Sequence, residues 1–455
     1  MPMKEYDLVV IGAGSAGMVA ASQAVAMGAK TAITEKWKLG GDCPNIACIP
    51  TKALLHSAKL YKQFQQAEKF GLKADKISFD WTKIQDWKDK VVAERTKHES
   101  EDTLKQQGVD LFWGQTSFVS PTQVKVKDIA LKAKKIIIGA GSQPAVFPIE
   151  GLDKIGYITS NEAVDLKELP KSIMIVGAGA VGIEFAQIFS RFEVDVTVFE
   201  AAPHIIPAAD TETANELYKF LSKQGIKFHI GAKVQKFMKD GDMKKAIVEV
   251  SKGETKEFTA EEVMMATGRK PDFEGLNIEA ARVETTKKGI IVDDTLKTNQ
   301  SNIYAAGDIT GVMQFTHMAT YQAVHAAYNA LTKKESVKVD YRVVPWVAFS
   351  DPEIAGVGMT EETIKEKGIK YQKSIFNFKD LGKASTQAEY DGFVKLLVNE
   401  EKQILGGFVV GPQAGELIHE IVVAMAGKVP VDVVGKAIFA YPTWSETLGS
   451  AAAQI

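Results

Sequence analysis

YDLVVIGAGSAGMVAASQAVAMGAKTAITE, residues 6–35, decides the fold class of this chain. An apolar run breaks at Gly12-x-Gly14-x-x-Gly17, a helical stretch follows, and a second β-like run closes on Glu35. The first glycine permits a tight turn, the second lets a pyrophosphate approach the backbone, and the third allows close helix–strand packing. The helix N-terminus then holds phosphate charge, and the acid accepts hydrogen bonds from a ribose hydroxyl. Residues 172–200, SIMIVGAGAVGIEFAQIFSRFEVDVTVFE, repeat the plan with Gly177, Gly179, Gly182 and Glu200. The first glycine precedes the acid by 23 positions in both copies. A lone glycine motif is often only a tight turn. Two in register, each set between strand and helix and each closed by Glu, point to two dinucleotide sites. A carboxylate at Glu200 suits a ribose 2′-hydroxyl and repels a 2′-phosphate, and the AAPHII that follows brings no Arg or Lys, so NADH is preferred over NADPH.

The only two cysteines, Cys43 and Cys48, stand five residues apart in GGDCPNIACIPTK, just after the first unit. Thiols this close together suit redox chemistry or metal binding better than stapling a fold. In a regular α-helix such a pair lies about 8.5 Å apart at Cα, beyond the roughly 7 Å that a disulfide bridges. The pair is therefore expected where a helix is just starting, with Pro44 and the Gly40-Gly41 step holding Cys43 outside the first turn. A thiol at a helix N-terminus has its thiolate stabilised by the dipole. Two buried structural cysteines are the plain alternative. A zinc site fits less well, because there is no second Cys pair and the seven His are scattered. A redox-active pair beside the first dinucleotide unit suggests that one of the two nucleotides is a flavin.

The bulk numbers agree with an ordinary globular protein. At 455 residues, two to four domains are expected. A hydrophobic content of 45% and a net charge of −2 give no electrostatic case for nucleic acid or an anionic membrane. No apolar run approaches the roughly 18 residues of a membrane span. The opening MPMKEYDLVVIGAG enters a strand at once and does not read as a signal peptide, so a cytoplasmic location is expected.

GGDCPNIACIPTK, the paired glycine units, MATGRKPD at 265–272 and IYAAGDIT at 303–310 together resemble the flavin-dependent pyridine nucleotide–disulfide oxidoreductases. That family includes dihydrolipoamide dehydrogenase, glutathione reductase and mercuric reductase, and the resemblance runs nearly end to end. It implies an α/β protein with two Rossmann-like domains for FAD and NAD, arranged as in glutathione reductase, and an α+β C-terminal dimerisation domain. The FAD domain would occupy 1–145 and return at 272–340, around an NAD domain at 146–271. An interface domain at 341–455 would build a two-fold homodimer.

The resemblance also implies roles. Cys48 would be the thiolate against the flavin, and Cys43 would exchange with the substrate. Lys52 matches a lysine near flavin N5, and Glu184 its ion-pair partner. Asp308 resembles the aspartate that binds the ribityl chain. A helix capped near Thr316 would aim its dipole at the flavin's pyrimidine end, with His317 beside the cap. Thr116 falls where the family contacts the adenine side of FAD. Gly41 and Gly268 complete the expected cofactor contacts, and no resident metal is expected.

One departure bears on the acceptor. Disulfide reductases of the family carry His-Pro-x-x-x-Glu near the C-terminus, the His serving as general base across the dimer. Here the stretch reads Tyr441-Pro442-Thr443-Trp444-Ser445-Glu446, and no histidine follows His419. A phenol, with a pKa of about 10, is poorly matched to acid–base work near neutrality. Mercuric reductases carry a tyrosine at the same place, and a soft metal ion held by two thiolates needs no imidazole. They also carry a vicinal C-terminal cysteine pair and an N-terminal metal-binding domain, whereas this chain ends SAAAQI without a third cysteine. A metal would therefore arrive as a small thiol complex. Asp42, Pro44 and Ala47 also depart from the family pattern, and Asp42 is expected to raise the pKa of Cys43.

The leading expectation is an NADH- and FAD-dependent reductase whose acceptor is a thiol-bound soft metal such as Hg(II). A dihydrolipoamide dehydrogenase or other small-disulfide reductase is the alternative. A redox-sensing flavoprotein with little turnover is the alternative of another class.

Overall fold

The computed structural model describes residues 3–73 and 75–455, which divide into two compact units. The first unit comprises residues 1–53, 85–145 and 268–340. Its sheet places Val109–Trp113, Thr31–Glu35, Met3–Ile11 and Ile129–Ile138 side by side and parallel, with Ile303–Ala305 added parallel to the last. Both faces are covered, so these strands read as nearly continuous apolar runs. The helix Ser15–Ala26 packs on Thr316–Leu331, and the contact is small-residue throughout: Ala16, Ala20, Ala323 and Ala327 are all buried. An antiparallel pair, Thr116–Ser120 and Gln123–Val126, extends the sheet.

The second unit comprises residues 54–84, 146–267 and 341–455. Lys227–Ile230, Asp195–Glu200, Ser172–Val176 and Glu262–Met265 form a four-stranded parallel sheet in the same winding order as the first. A three-stranded antiparallel meander over 233–260 packs beside it. A five-stranded antiparallel sheet runs in the order Pro345–Ala348, Glu353–Gly358, Ile404–Gly411, Phe393–Val398, Gln372–Asn377, and the helix Ala414–Ala426 covers one face. The two parallel sheets and the separate antiparallel sheet are the architecture expected from the glycine repeats and the C-terminal strands. Ser142–Pro144 and Arg269–Pro271 pair antiparallel inside the first unit. Among the described residues, no helix is long and apolar enough to cross a membrane.

Candidate active site

Each glycine unit leaves the carboxyl end of its first strand, where open α/β sheets bind ligands. A Cβ on Gly12 would meet the carbonyl oxygen of Gly139 at 2.5 Å, and one on Gly17 the oxygen of Gly12 at 1.7 Å. The second unit repeats this, with Gly177 against the Ala266 oxygen at 2.4 Å and Gly182 against the Gly177 oxygen at 2.0 Å. The middle glycines differ: nothing stands within 4 Å of a Cβ on Gly179, and only the Gly41 Cα, at 3.8 Å, faces Gly14. Backbone packing thus requires the outer glycines, and the middle one fronts open space where a pyrophosphate fits.

The acids are buried and turned onto the loops. One oxygen of Glu35 accepts from the Ala13 N–H at 2.7 Å, and the other from the N–H groups of Lys36 and Trp37. Glu200 accepts from Ala178 at 2.7 Å and from Ala202 at 2.8 Å. A carboxylate offers about four acceptor sites, so room is left for a ribose hydroxyl. Beside Glu35 lies a pocket lined by Gly12, Gln115, Thr116 and Asp272 among others. The Thr116 hydroxyl donates to Thr34 at 2.7 Å, so Thr116 serves as wall here. On the other side of the loop, Asp308 accepts from the Ser142 hydroxyl at 2.6 Å. Burial raises the pKa of its carboxyl, while Ser142 and the Arg269 guanidinium oppose that rise. Cradle, cavity and acids fit FAD.

The dithiol segment is tied to this cradle by backbone. Gly40 donates its N–H to the Ala13 oxygen at 2.8 Å, and a Cβ on Gly41 would meet the Gly14 Cα at 2.9 Å. Asp42–Asn45 forms one helical turn, braced by the Asn45 amide on the carbonyls of Leu39 and Gly41. The long helix Cys48–Gln65 then starts at the second cysteine. The pair therefore straddles a helix start. Both cysteines are unbridged and half-buried. The Cys43 thiol is pushed well above its usual pKa by its hydrogen bond to Cys48, by burial and by the charge of Cys48; Thr316 and Lys52 act against that shift.

The helix expected near Thr316 spans Thr316–Leu331, with Phe315 in the cap position and no side-chain hydrogen bond there, and the Thr316 hydroxyl lies 3.5 Å from the Cys48 sulfur. His317 stacks on Phe315, the rings 5.2 Å apart. Asp42 is not among the main causes that raise Cys43, and its carboxylate stands in a short ion pair with Arg269. Arg269 also donates to the Ser142 hydroxyl at 2.7 Å and to the Ser142 carbonyl at 2.9 Å. It therefore links the dithiol turn to Asp308. Neither Arg269 nor Ser142 was anticipated, although GRKP supplied the signal: Gly268 alone was taken from it. Arg269→Met removes these hydrogen bonds, one of them between full charges, and should cost about 2–3 kcal/mol. A fall in the urea unfolding midpoint is the expected readout, and an unchanged midpoint would show the network to be incidental.

In the second unit, Glu184 is buried on the helix Ala180–Arg191 and accepts from the Phe349 N–H at 3.0 Å. Tyr441 is 78% exposed, and its hydroxyl stands against Gly382, where a Cβ would come within 2.6 Å. Glu446 accepts from the Thr443 N–H at 2.8 Å, and Trp444 anchors the segment on Phe378. So Cys43, Cys48, Lys52 and Thr316 gather in the first unit, while Tyr441 and Glu446 share one short segment of the second.

Two dinucleotide cradles and a dithiol at a helix start, packed on one of them, define a two-cofactor thiol oxidoreductase. The chain matches the family described as Pyridine nucleotide-disulphide oxidoreductase over residues 6–323 and its dimerisation domain over 344–452, and it belongs to that family of FAD-dependent, NAD(P)H-using enzymes. It is 35% identical to the dihydrolipoyl dehydrogenase of Bacillus subtilis (strain 168) over 466 residues, covering 98% of this chain and 97% of that one. It is 33% identical to a mercuric reductase of Staphylococcus aureus over 450 residues, covering 98% and 82%. Among solved structures, the Cu(II) complex of the HOCl-induced flavoprotein disulfide reductase RclA from Escherichia coli superposes with a TM-score of 0.87 at 28% identity, over 100% of both chains. The dimerisation domain supports a homodimer.

Proposed function

We propose that this flavoprotein passes electrons from NADH through Cys43 and Cys48 to a thiophilic metal ion, with thiol-bound Hg(II) the foremost acceptor. The carrying observation is Tyr441 where the disulfide reductases have their base, with no histidine beyond His419. Proton balance gives that substitution its meaning. Disulfide reduction, NADH + H⁺ + RSSR → NAD⁺ + 2 RSH, consumes a proton and must protonate a leaving thiolate. Reduction of the thiol-bound metal, NADH + H⁺ + Hg(SR)₂ → NAD⁺ + Hg(0) + 2 RSH, also releases thiols, but a thiolate displaced from the metal by Cys43 takes up the proton that Cys43 loses on binding, so that exchange needs no separate base. Bound FAD supplies the two-electron carrier between nucleotide and dithiol. Cys43 gives up its proton on binding metal, as thiol ligands must. Lys52 favours that loss electrostatically.

The remaining assignments belong to the same proposal. FAD is held by Gly12, Gly14, Gly17, Glu35, Gly41, Lys52, Thr116, Asp308 and Thr316 in segments 1–145 and 272–340, and Gly268 completes the cofactor contacts. NADH is held by Gly177, Gly179, Gly182 and Glu200 in 146–271. Residues 341–455 bring Tyr441 and Glu446 to the acceptor across a two-fold homodimer. The Cu(II) complex of RclA supports copper as a further acceptor of the same chemical class. Comparable identity to dihydrolipoyl dehydrogenase favours a second reading, a lipoyl or other small disulfide.

NADH oxidation by the holoenzyme, under excess small thiol with Hg(II), Cu(II) and lipoamide side by side, separates these readings. Turnover with a metal and little with lipoamide is expected, with NADPH a poor donor because Glu200 repels a 2′-phosphate. Turnover with lipoamide alone would overturn the metal assignment.

A further inference from the structure

The strand Phe393–Val398, FVKLLV, is buried at every position, and its third residue is a lysine. Lys395 is fully buried, and its ammonium donates to both oxygens of Asp210 at 2.8 and 3.0 Å, to Glu212 at 2.9 Å and to Glu361 at 2.7 Å. Burial by itself would lower the lysine's pKa, but these carboxylates raise it above its usual value, so the cation persists. Asp210 is fully buried too, and it stands at the start of the helix Thr211–Lys223. Nothing in the redox chemistry above uses this cluster.

Its position gives it a use. Residues 201–209 run from Glu200, the acid of the second glycine unit, to Asp210. Midway, Ile206 donates its N–H to the carbonyl of Ala178 at 2.7 Å, between the fingerprint glycines Gly177 and Gly179. Ile206 is buried and has φ +46°, a left-handed conformation that a β-branched residue adopts only under constraint. Such a turn persists when its surroundings over-determine it. Glu200 fixes one end through the N–H groups of Ala178 and Ala202. At the other end Lys395 fixes Asp210. In the first unit the corresponding brace, the Gly40 N–H on Ala13, uses a glycine and bears no such strain.

We infer that Lys395 is a positioning residue for the pyridine nucleotide: by clamping Asp210 it holds the strained turn at Ile206, which braces the second glycine loop. The inference rests on assigning that loop to NADH. NAD⁺ binding to the holoenzyme by titration calorimetry, with FAD content measured alongside, tests both. Lys395→Met should weaken NAD⁺ binding on the order of tenfold, the scale of a slightly misplaced binding group, with FAD content unchanged. Adding Ile206→Gly removes the strain, because glycine takes positive φ without cost, and should restore most of the lost affinity. If Lys395→Met does not fold, Asp210→Asn carries the same comparison, since Lys395 then keeps Glu212 and Glu361. Unchanged NAD⁺ affinity, or loss without rescue by glycine, would overturn the positioning role while leaving the loop assignment standing. Loss of FAD with intact NAD⁺ binding would instead overturn the loop assignment.

Discussion

Replacing Cys43 with serine is expected to lower electron delivery to every acceptor by roughly three orders of magnitude or more, the scale on which one member of a group acting as a unit is lost. A serine hydroxyl forms no disulfide and is a poor ligand for a soft ion, so neither acceptor class is served. The geometry makes this loss separable from general damage. Cys48 keeps its Thr316 contact and its place at the start of an 18-residue helix when position 43 changes. Serine can still donate a hydrogen bond toward Cys48. Anaerobic NADH should therefore still bleach the yellow flavin of Cys43→Ser, with only the passage to acceptor lost. Cys48→Ser should also abolish turnover, and additionally it removes the sulfur facing Thr316. Appreciable metal- or lipoamide-dependent NADH oxidation by Cys43→Ser would remove the dithiol from the electron path.

That prediction uses the part of the molecule most legible in its residues. The glycine units announce themselves because each outer glycine answers a backbone contact that any side chain would block, and such demands repeat at fixed spacing. The cysteine pair is equally local, since a five-residue separation forces it onto a helix start. Arg269 and Lys395 are different in kind. Their partners lie 227 positions away at Asp42 and 185 away at Asp210, and no periodicity within a strand or helix encodes such a meeting. A trace existed for Lys395, because a lysine inside FVKLLV contradicts a strand buried on both faces unless a carboxylate comes to meet it. At Thr316 the start of an alanine-rich helix is legible, whereas the sulfur that the Thr316 hydroxyl faces lies 268 positions away. Side chains that answer distant groups override local propensity where the chemistry lies.

Tyr441→His carries the largest expected gain. If the missing base is what suppresses disulfide chemistry, an imidazole at this position should raise lipoamide turnover by about 10²-fold or more, since a positioned acid–base group contributes roughly 10² to 10⁴. Within its own chain Tyr441 is 78% exposed and its hydroxyl stands against Gly382, so an imidazole there displaces no core side chain of that chain. Its natural partner is in place. Glu446 holds the Thr443 N–H with one oxygen, and a carboxylate has further acceptor capacity with which to orient an imidazole. An imidazole titrates near about 6.5, so the acquired lipoamide turnover should rise from about pH 5.5 to 7.5 as the base form appears. Hg(II) turnover should stay where it was, because a thiolate displaced from the metal takes its proton from the cysteine that replaces it. A variant that gains lipoamide activity with this pH profile would mark residue 441 as the point separating the two acceptor chemistries. A variant that gains nothing would locate the barrier to disulfides elsewhere, with the stiffened Asp42–Ala47 turn around Cys43 the next place to change.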